Sequence, residues 1–148
     1  MRVILQRSKK AKVSIAGETV GQITHGLVLL VGFTENDGLE EIEYLVKKIV
    51  NCRIFSDADD KLNLNIKQVQ GEILSISQFT LYADTKKGNR PSFSKAQAPK
   101  QAQENYELFN KKLAQTGVPV QTGHFGADMQ IELVNDGPVT IIFDTENK

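Results

Sequence analysis

The chain has 148 residues, of which 40% are hydrophobic and 24% are charged, and its formal net charge at pH 7 is zero. This length and composition are typical of one compact domain and exclude a chain that is disordered over most of its length. The balanced charge also argues against a protein that coats nucleic acid through many phosphate contacts, so any contact with nucleic acid must be local.

The first part of the chain predicts a hairpin followed by a buried strand. Residues 3–6 form a short apolar run, and residues 12–15 alternate between polar and apolar side chains, as a half-buried strand does. Gly17 marks a turn, after which residues 19–23 are extended again, so a hairpin is expected. The continuous apolar run at residues 27–33 is typical of a central strand that is covered on both faces.

A helix is expected next, over about residues 39–51, because apolar side chains recur at helical spacing there. Asp37, with Glu40 three residues later, resembles a capping box and would mark the start of this helix. Cys52 lies near the apolar stripe and is expected in the core. As the single cysteine it excludes an intrachain disulfide.

The middle of the chain predicts a strand, a long loop and a second helix. Residues 56–60 are polar and predict a loop, whereas residues 71–79 read as a strand. Residues 83–94 carry no apolar periodicity and predict another loop. Pro99 suits the first turn of the second helix, which Gly117 would end.

Three strand-like stretches follow, at residues 118–121, 129–134 and 139–143. Several strands with two separated helices predict a single α/β domain over residues 1–148, with a mixed or antiparallel sheet curling into a barrel-like core. No run approaches the ~18 apolar residues of a membrane helix, and the apolar run at the N-terminus is too short for a signal peptide. We therefore expect a soluble, cytoplasmic protein.

The end of the strand at residues 71–79 is the first candidate site. Ser77, Gln78 and Thr80 are hydrogen-bonding residues there, with Phe79 between them. Polar groups at a strand end can face a cleft, where hydroxyls and backbone N–H groups polarise a carbonyl. The alternative is an ordinary strand end, because hydroxyl residues favour turns.

Two further segments carry candidate residues. Gly137 and Pro138 precede the last strand, where proline is expected at a strand start, and an ordinary turn is the alternative. Lys86, Lys87 and Arg90 lie in the long loop near an aromatic residue, a combination that can hold phosphate or a stacked base. Solvated surface charge is the alternative for these three side chains.

Motifs for metal, nucleotide or triad chemistry are missing. His124 is close in sequence to Asp128, but no serine stands in a recognisable nucleophile motif, and His25 has no such neighbour. No zinc, phosphate-loop or dinucleotide fingerprint occurs. The sequence therefore predicts neither a metal site nor a cofactor.

Four motifs read together carry more information than any one of them. They are Ser-Gln-Phe-Thr-Leu-Tyr at 77–82, Gly-Asn-Arg-Pro-Ser-Phe at 88–93, Phe-Gly-Ala-Asp-Met at 125–129 and Asn-Asp-Gly-Pro-Val-Thr at 135–140. With Gln6-Arg7 near the start, this order resembles the D-aminoacyl-tRNA deacylase family over essentially the whole chain. One departure is Ser8, where the family pattern leads us to expect an apolar residue; it bears on the end of the first strand, not on the function.

The resemblance implies a homodimer with active sites at the subunit interface. It implies hydrolysis of the ester between a D-amino acid and the terminal ribose of tRNA, with glycyl-tRNA, including glycine mischarged on tRNA(Ala), also accepted. Ser77, Gln78, Phe79 and Thr80 would form the catalytic segment. Phe125 and Met129 would line the pocket for the terminal adenosine, although plain core packing is the alternative for both.

The resemblance further implies that Gly137–Pro138 is a cis element inserted into the active site of the other subunit, with Arg7 bracing it. D- and L-amino acids differ by the exchange of a hydrogen and a side chain at one carbon, so discrimination needs a wall. A proline backbone with fixed φ rejects the L side chain by steric clash, whereas a flexible side chain would rotate away. Glycine has no side chain and would not be excluded.

The role of Thr80 leaves two hypotheses open. In the first, its hydroxyl attacks the ester, which requires a nearby base. In the second, residues 77–80 only position the carbonyl, and the 2′-hydroxyl of the tRNA assists the attack of water. We prefer the second because no base is evident in the sequence. A non-catalytic RNA-binding module and a general esterase are the rival functions.

Overall fold

The computed structural model describes residues 1–148. The helices are α1 (Leu39–Val50) and α2 (Pro99–Gln115). The strands are β1 (Arg2–Ile15), β2 (Glu18–Ile23), β3 (Gly26–Gly32), β4 (Phe55–Ser56), β5 (Leu62–Leu64), β6 (Glu72–Ser77), β7 (Val120–Thr122) and β8 (Gln130–Asp144). Short 3-10 segments lie at Phe79–Tyr82 and Thr145–Asn147. No helix is both long enough and apolar enough to cross a membrane.

The main sheet is mixed and curls around the long strand β1. β1 pairs antiparallel with β8 along its length, while on its other side residues 2–8 pair with β3 and residues 11–15 with β2. β3, β6 and β7 are parallel neighbours, and β4 and β5 form a separate small hairpin. The structure confirms the predicted single α/β domain with a barrel-like mixed sheet and two main helices.

In two places, two strands that the sequence predicts as separate form one continuous strand in the structure. Residues 3–6 and 12–15 both belong to β1, and residues 129–134 and 139–143 fall almost wholly within β8. The β1–β8 ladder continues across two register shifts, so the polar residues between the apolar runs stay in the sheet. The short strands β4 and β5 were not predicted.

Each face of the sheet has its own apolar cluster. The larger cluster joins the two helices to the first face, with Leu45 and Ile49 of α1 and Phe109 of α2 completely buried. Removing the ring of a core phenylalanine costs about 3–5 kcal/mol, so Phe109 is a main support of α2. The smaller cluster fills the curl of the sheet, and its members are Ala11, Val13, Ile23, Val28, Leu74 and Ile76.

The start of α1 differs by one residue from the predicted capping box. The N-cap is Gly38, and Glu41, not Glu40, reaches back to accept a hydrogen bond from the Gly38 N–H at 3.0 Å. Asp37 is drawn away from the cap because its carboxylate accepts from the Thr34 N–H at 2.7 Å and pairs with the Met1 ammonium at 2.6 Å. The helix ends at Val50, one residue before the predicted end.

Candidate active site

The parallel strands β3 and β6 end side by side. Val31 pairs with Ser77, and the N–H of Gln78 donates to the carbonyl oxygen of Val31 at 2.7 Å. The carboxyl ends of parallel strands are where α/β sheets bind ligands, because polar chain ends and loops meet at that edge. A cleft of about 600 Å³ opens there.

The cleft has walls from three parts of the chain: the ends of β3 and β6, the segment that leads into α2, and the loop before β8. The lining residues are Val31, Gly32, Phe33, Ile76, Ser77, Gln78, Phe79, Phe93, Ala96, Gln97, Ala98, Pro99, Ala102, Phe125, Gly126, Ala127, Asp128, Met129 and Ile131. Most of these side chains are apolar, so polar groups at the end of β6 face a mainly apolar cavity.

Gly32 allows the end of β3 to approach the 3-10 segment after β6. A Cβ atom on Gly32 would lie 2.9 Å from the carbonyl oxygen of Gln78 and 3.1 Å from the Cβ of Leu81. The first contact is with backbone, which cannot rotate away. A larger residue at this position would therefore displace the segment that carries Gln78 and Thr80.

Three of the four predicted catalytic residues lie at one wall of the cleft, and Thr80 contacts Gln78 without lining it. Ser77, Gln78 and Phe79 line the cleft, and the side-chain amide of Gln78 donates to the Thr80 hydroxyl at 2.6 Å. The side-chain partner of the Thr80 hydroxyl is therefore an amide, which cannot act as a base. His25 lies elsewhere, against the Val69 carbonyl oxygen at 3.0 Å. The roles of these residues in catalysis stay predictions.

The opposite wall carries both residues predicted for the adenosine pocket. Phe125 and Met129 are half-buried and line the cleft, but each also packs against one of the two apolar clusters. Gly123 makes room for the methionine, since a Cβ there would lie 2.5 Å from its sulfur. Both residues therefore lie at the cleft and in the core packing, and their role in holding adenosine stays a prediction.

A buried tyrosine supports this wall from behind. The Tyr106 hydroxyl donates to the Ser75 carbonyl oxygen at 2.7 Å, and its ring lies 6.1 Å from the ring of Phe125. Burial raises the pKa of Tyr106, so the hydroxyl keeps its proton and its role as donor. The same side chain therefore connects α2, β6 and the loop before β8.

Gly137 and Pro138 lie outside the cleft of their own chain. Gln6 pairs with Thr140 and Ser8 with Asn135, so Arg7 of β1 stands opposite residues 136–139 of β8. This extra length of β8 projects as an exposed bulge, defined here as the Gly-Pro bulge, and the Gly137–Pro138 peptide bond is cis.

Side chains on both strands hold the Gly-Pro bulge. Arg7 donates from Nε to the Asp136 carbonyl oxygen at 2.7 Å and from Nη1 to the Ile54 carbonyl oxygen at 2.7 Å. Its side chain is only 11% exposed. Asn135 closes the base of the bulge by accepting from the Val139 N–H at 2.8 Å. The bulge is therefore exposed but firmly anchored.

The family model described as D-Tyr-tRNA(Tyr) deacylase matches residues 4–144. The chain belongs to this family. It is accordingly a hydrolase of the aminoacyl ester, a deacylase that acts on D-aminoacyl-tRNA.

Solved structures agree with this deacylase fold. The c-Myc DNA Unwinding Element Binding Protein is 38% identical with a TM-score of 0.93, and the match covers 98% of this chain and 99% of that one. A probable eukaryotic D-amino acid tRNA deacylase is 18% identical with a TM-score of 0.81, covering 96% of this chain and 97% of the other. At that identity the second likeness shows the fold alone.

The basic loop of the deacylase borders the same cleft. Asp84 and Ser92 pin its base through paired backbone hydrogen bonds of 2.7 and 2.9 Å. Lys86, Lys87 and Arg90 lie on the exposed excursion between them. No group of His, Cys, Asp and Glu side chains in the deacylase is arranged to hold a metal ion.

Sequence reasoning missed one wall of the deacylase cleft. Residues 96–99 line the site, yet they carry no catalytic side-chain types. Gln97 is anchored instead of free, because its amide donates to the Asp37 carbonyl oxygen at 3.1 Å and accepts from Asn105 at 2.9 Å. The available signal was positional: a short segment just before a helix, in which Gln97 is the one polar residue.

Proposed function

We propose that this deacylase acts as a homodimer in which the Gly-Pro bulge of one copy enters the cleft of the other and excludes L-aminoacyl esters. One observation carries the proposal: an exposed bulge, anchored by Arg7, stands outside the cleft that its own chain forms. A rigid backbone with no function in its own cleft is suited to act in a neighbouring one.

Exposed apolar side chains beside the bulge support an interface there. Val134 is 51% exposed on one side of it and Ile142 is 67% exposed on the other, both on β8. Ile4 of β1 pairs directly with Ile142 and is itself only half-buried. Several exposed apolar side chains along one strand of a small protein favour a surface that another molecule covers. A two-fold dimer would cover the patch on both copies at once.

The chemistry that the cleft supports is positioning of the ester carbonyl. Water attacks the carbonyl carbon, the bond to the ribose oxygen breaks, and that oxygen takes a proton, so free amino acid and tRNA leave. The N–H of Gln78 is donated to Val31, so the backbone N–H groups that follow it, with the side chains of Ser77 and Gln78, would stabilise the oxyanion. Because Thr80 contacts an amide and not a base, its hydroxyl is better suited to hold Gln78 than to attack. The tRNA 2′-hydroxyl would then assist water.

The range of substrates follows from selection by steric clash. A wall that rejects an L side chain by clash has nothing to reject in glycine, so glycyl-tRNA, including glycine on tRNA(Ala), would be hydrolysed as well. Phe125 and Met129 would hold the terminal adenosine, and Lys86, Lys87 and Arg90 would contact tRNA phosphates. We place this activity in the cytoplasm, where aminoacyl-tRNA is consumed.

A non-catalytic nucleic-acid-binding module is the second candidate function. It is favoured by the name of a similar structure, the c-Myc DNA Unwinding Element Binding Protein. The zero net charge of the present chain argues against it, since non-specific binders need many phosphate contacts.

The deciding experiment compares matched D- and L-tyrosyl-tRNA. The purified protein is incubated with each, and release of tyrosine is followed over time. We expect rapid loss of the D ester with the L ester intact. Equal loss of both would contradict the chiral wall and favour a general esterase. Binding of tRNA without loss of either ester would favour the binding module.

A further inference from the structure

Two aromatic rings stand exposed at the mouth of the cleft. Phe79 is 55% exposed and Phe93 is 38% exposed, and both line the cleft. Their ring centroids are 5.1 Å apart with an interplanar angle of 71°. A pair in contact that still exposes this much ring surface leaves apolar area unused within the monomer.

The edge-to-face arrangement leaves flat ring surface free. In such a pair the edge of one ring meets the face of the other, so the remaining faces are available to a further flat group. The bases of single-stranded nucleic acid are flat groups of this kind, and they stack on exposed aromatic side chains with little dependence on sequence.

The loop that connects the two aromatic residues is positively charged. Residues 83–92 connect the 3-10 segment that contains Phe79 to Phe93, and the paired backbone bonds of Asp84 and Ser92 close this loop. Lys86, Lys87 and Arg90 lie on it, and none of them forms an ion pair with a carboxylate. Unpaired cations next to stacking rings match a phosphate next to a base.

We propose that Phe79 and Phe93 form a stacking platform for the base of the nucleotide that precedes the terminal adenosine. This inference rests on the proposed function, in which the terminal adenosine lies against Phe125 and Met129 inside the cleft. A single-stranded RNA end that leaves this position passes the mouth of the cleft, where the aromatic pair lies. The platform recognises a second base by its flat face, and the loop cations face the intervening phosphates.

The test measures binding, so it does not depend on hydrolysis. The affinities of the protein for adenosine and for the trinucleotide CCA are measured by calorimetry, and their ratio gives the gain from the preceding nucleotides. We expect Phe93→Ala to lower this gain by about 5- to 150-fold, which is the usual range for loss of one stacked base. Phe93→Trp keeps a flat ring and is expected to retain the gain.

A matched control is Leu62→Ala, because Leu62 is also 55% exposed but lies on β5, outside the cleft. It should leave the trinucleotide-to-adenosine ratio unchanged. An unchanged ratio in Phe93→Ala would overturn the platform. Equal weakening of both ligands, together with dissociation of a dimer in sedimentation, would also overturn it and make the rings an interface between copies. If no D ester is hydrolysed but the ratio still depends on Phe93, the platform stands and the proposed function fails.

Discussion

The guanidinium of Arg7 donates a hydrogen bond to the carbonyl oxygen of Asp136 at 2.7 Å, one residue before Gly137. The same side chain donates to the Ile54 carbonyl oxygen at the same distance. One residue thus ties the Gly-Pro bulge to the β1 strand and to the segment that follows α1. The bulge can be exposed and still hold its shape.

Replacing Arg7 by lysine tests this anchor. A lysine ammonium cannot reproduce the planar fork that reaches both carbonyl oxygens. Loss of a charged hydrogen bond costs about 1.5–3 kcal/mol, so we expect discrimination between D- and L-tyrosyl-tRNA to fall by about tenfold or more. Lys12→Ala removes a partly exposed cation of β1 as a control. Retained discrimination in Arg7→Lys would contradict the bracing role.

Replacing Pro138 by alanine tests the wall itself. Pro138 fixes the backbone that would meet an L side chain, and alanine leaves that backbone freer to move. We expect measurable hydrolysis of L-tyrosyl-tRNA, with the D ester still cleaved. If the variant protects L-tyrosyl-tRNA as fully as the parent protein does, the wall lies elsewhere.

Thr80→Ala separates the two hypotheses for catalysis. If Thr80 only holds the Gln78 amide, loss of one neutral hydrogen bond of about 0.5–1.5 kcal/mol should lower the single-turnover rate by about tenfold at most. If its hydroxyl attacks the ester, the rate should fall by at least about a thousandfold. We expect the smaller effect.

Gly32→Ala tests the close approach behind the site. The added Cβ would meet the Gln78 carbonyl oxygen at 2.9 Å, so the 3-10 segment must shift. We expect overpacking to cost about 1–3 kcal/mol in the free energy of unfolding and kcat to fall more than KM rises. Gly38→Ala is the matched control, since a Cβ there meets nothing within 4 Å. Equal kcat in both variants would show that the close approach of β3 to the 3-10 segment is not needed for catalysis.

The Arg2–Asp144 pair predicts a pH-dependent stability. Burial raises the pKa of Asp144, but the Glu146 N–H and the Arg2 guanidinium outweigh burial, so the net pKa is lowered. A carboxyl with a lowered folded pKa stabilises the protein above its unfolded value of about 3.9 and loses that effect as pH falls through the folded pKa.

Asp144→Asn should therefore unfold more easily at pH 7, by about 1–2 kcal/mol because Arg2 is partly exposed and screened. The difference from the parent protein should shrink as urea unfolding is repeated toward pH 3. Asp59→Asn, at an exposed loop position, serves as control. A difference that stays constant with pH would rule out the carboxylate as its source.

The helices and most strands could be predicted because burial on one face imposes a period on the sequence. The spacing of Ile42 and Leu45 indicates α1 in this way, and the apolar run at residues 27–33 indicates β3. The continuity of β1 and β8 could not be predicted, because their bulges expose Lys9, Lys10 and Pro138, which look like loop residues. Only the pairing of the two distant strands with each other explains why they stay extended there.

The candidate site was partly predictable for a similar reason. Gln78 and Thr80 follow an apolar run, so a strand end with polar groups was expected. Gln97 was not found because its side chain is fixed by contacts with Asp37 and Asn105, which are remote in sequence. Motif order gave the family, whereas the walls of the cleft depend on tertiary contacts that no local pattern carries.

The pairing of β1 with β8 also has a consequence for synthesis of the protein. Arg2 pairs with Asp144, so the ladder that closes the sheet joins the first strand to the last. Contacts between such distant segments form slowly, since a long loop must be closed first. A chain growing on the ribosome therefore carries β1 with an unpaired edge until β8 emerges, and such edges invite aggregation. The lysines on the bulge of β1 keep part of that edge charged during this interval.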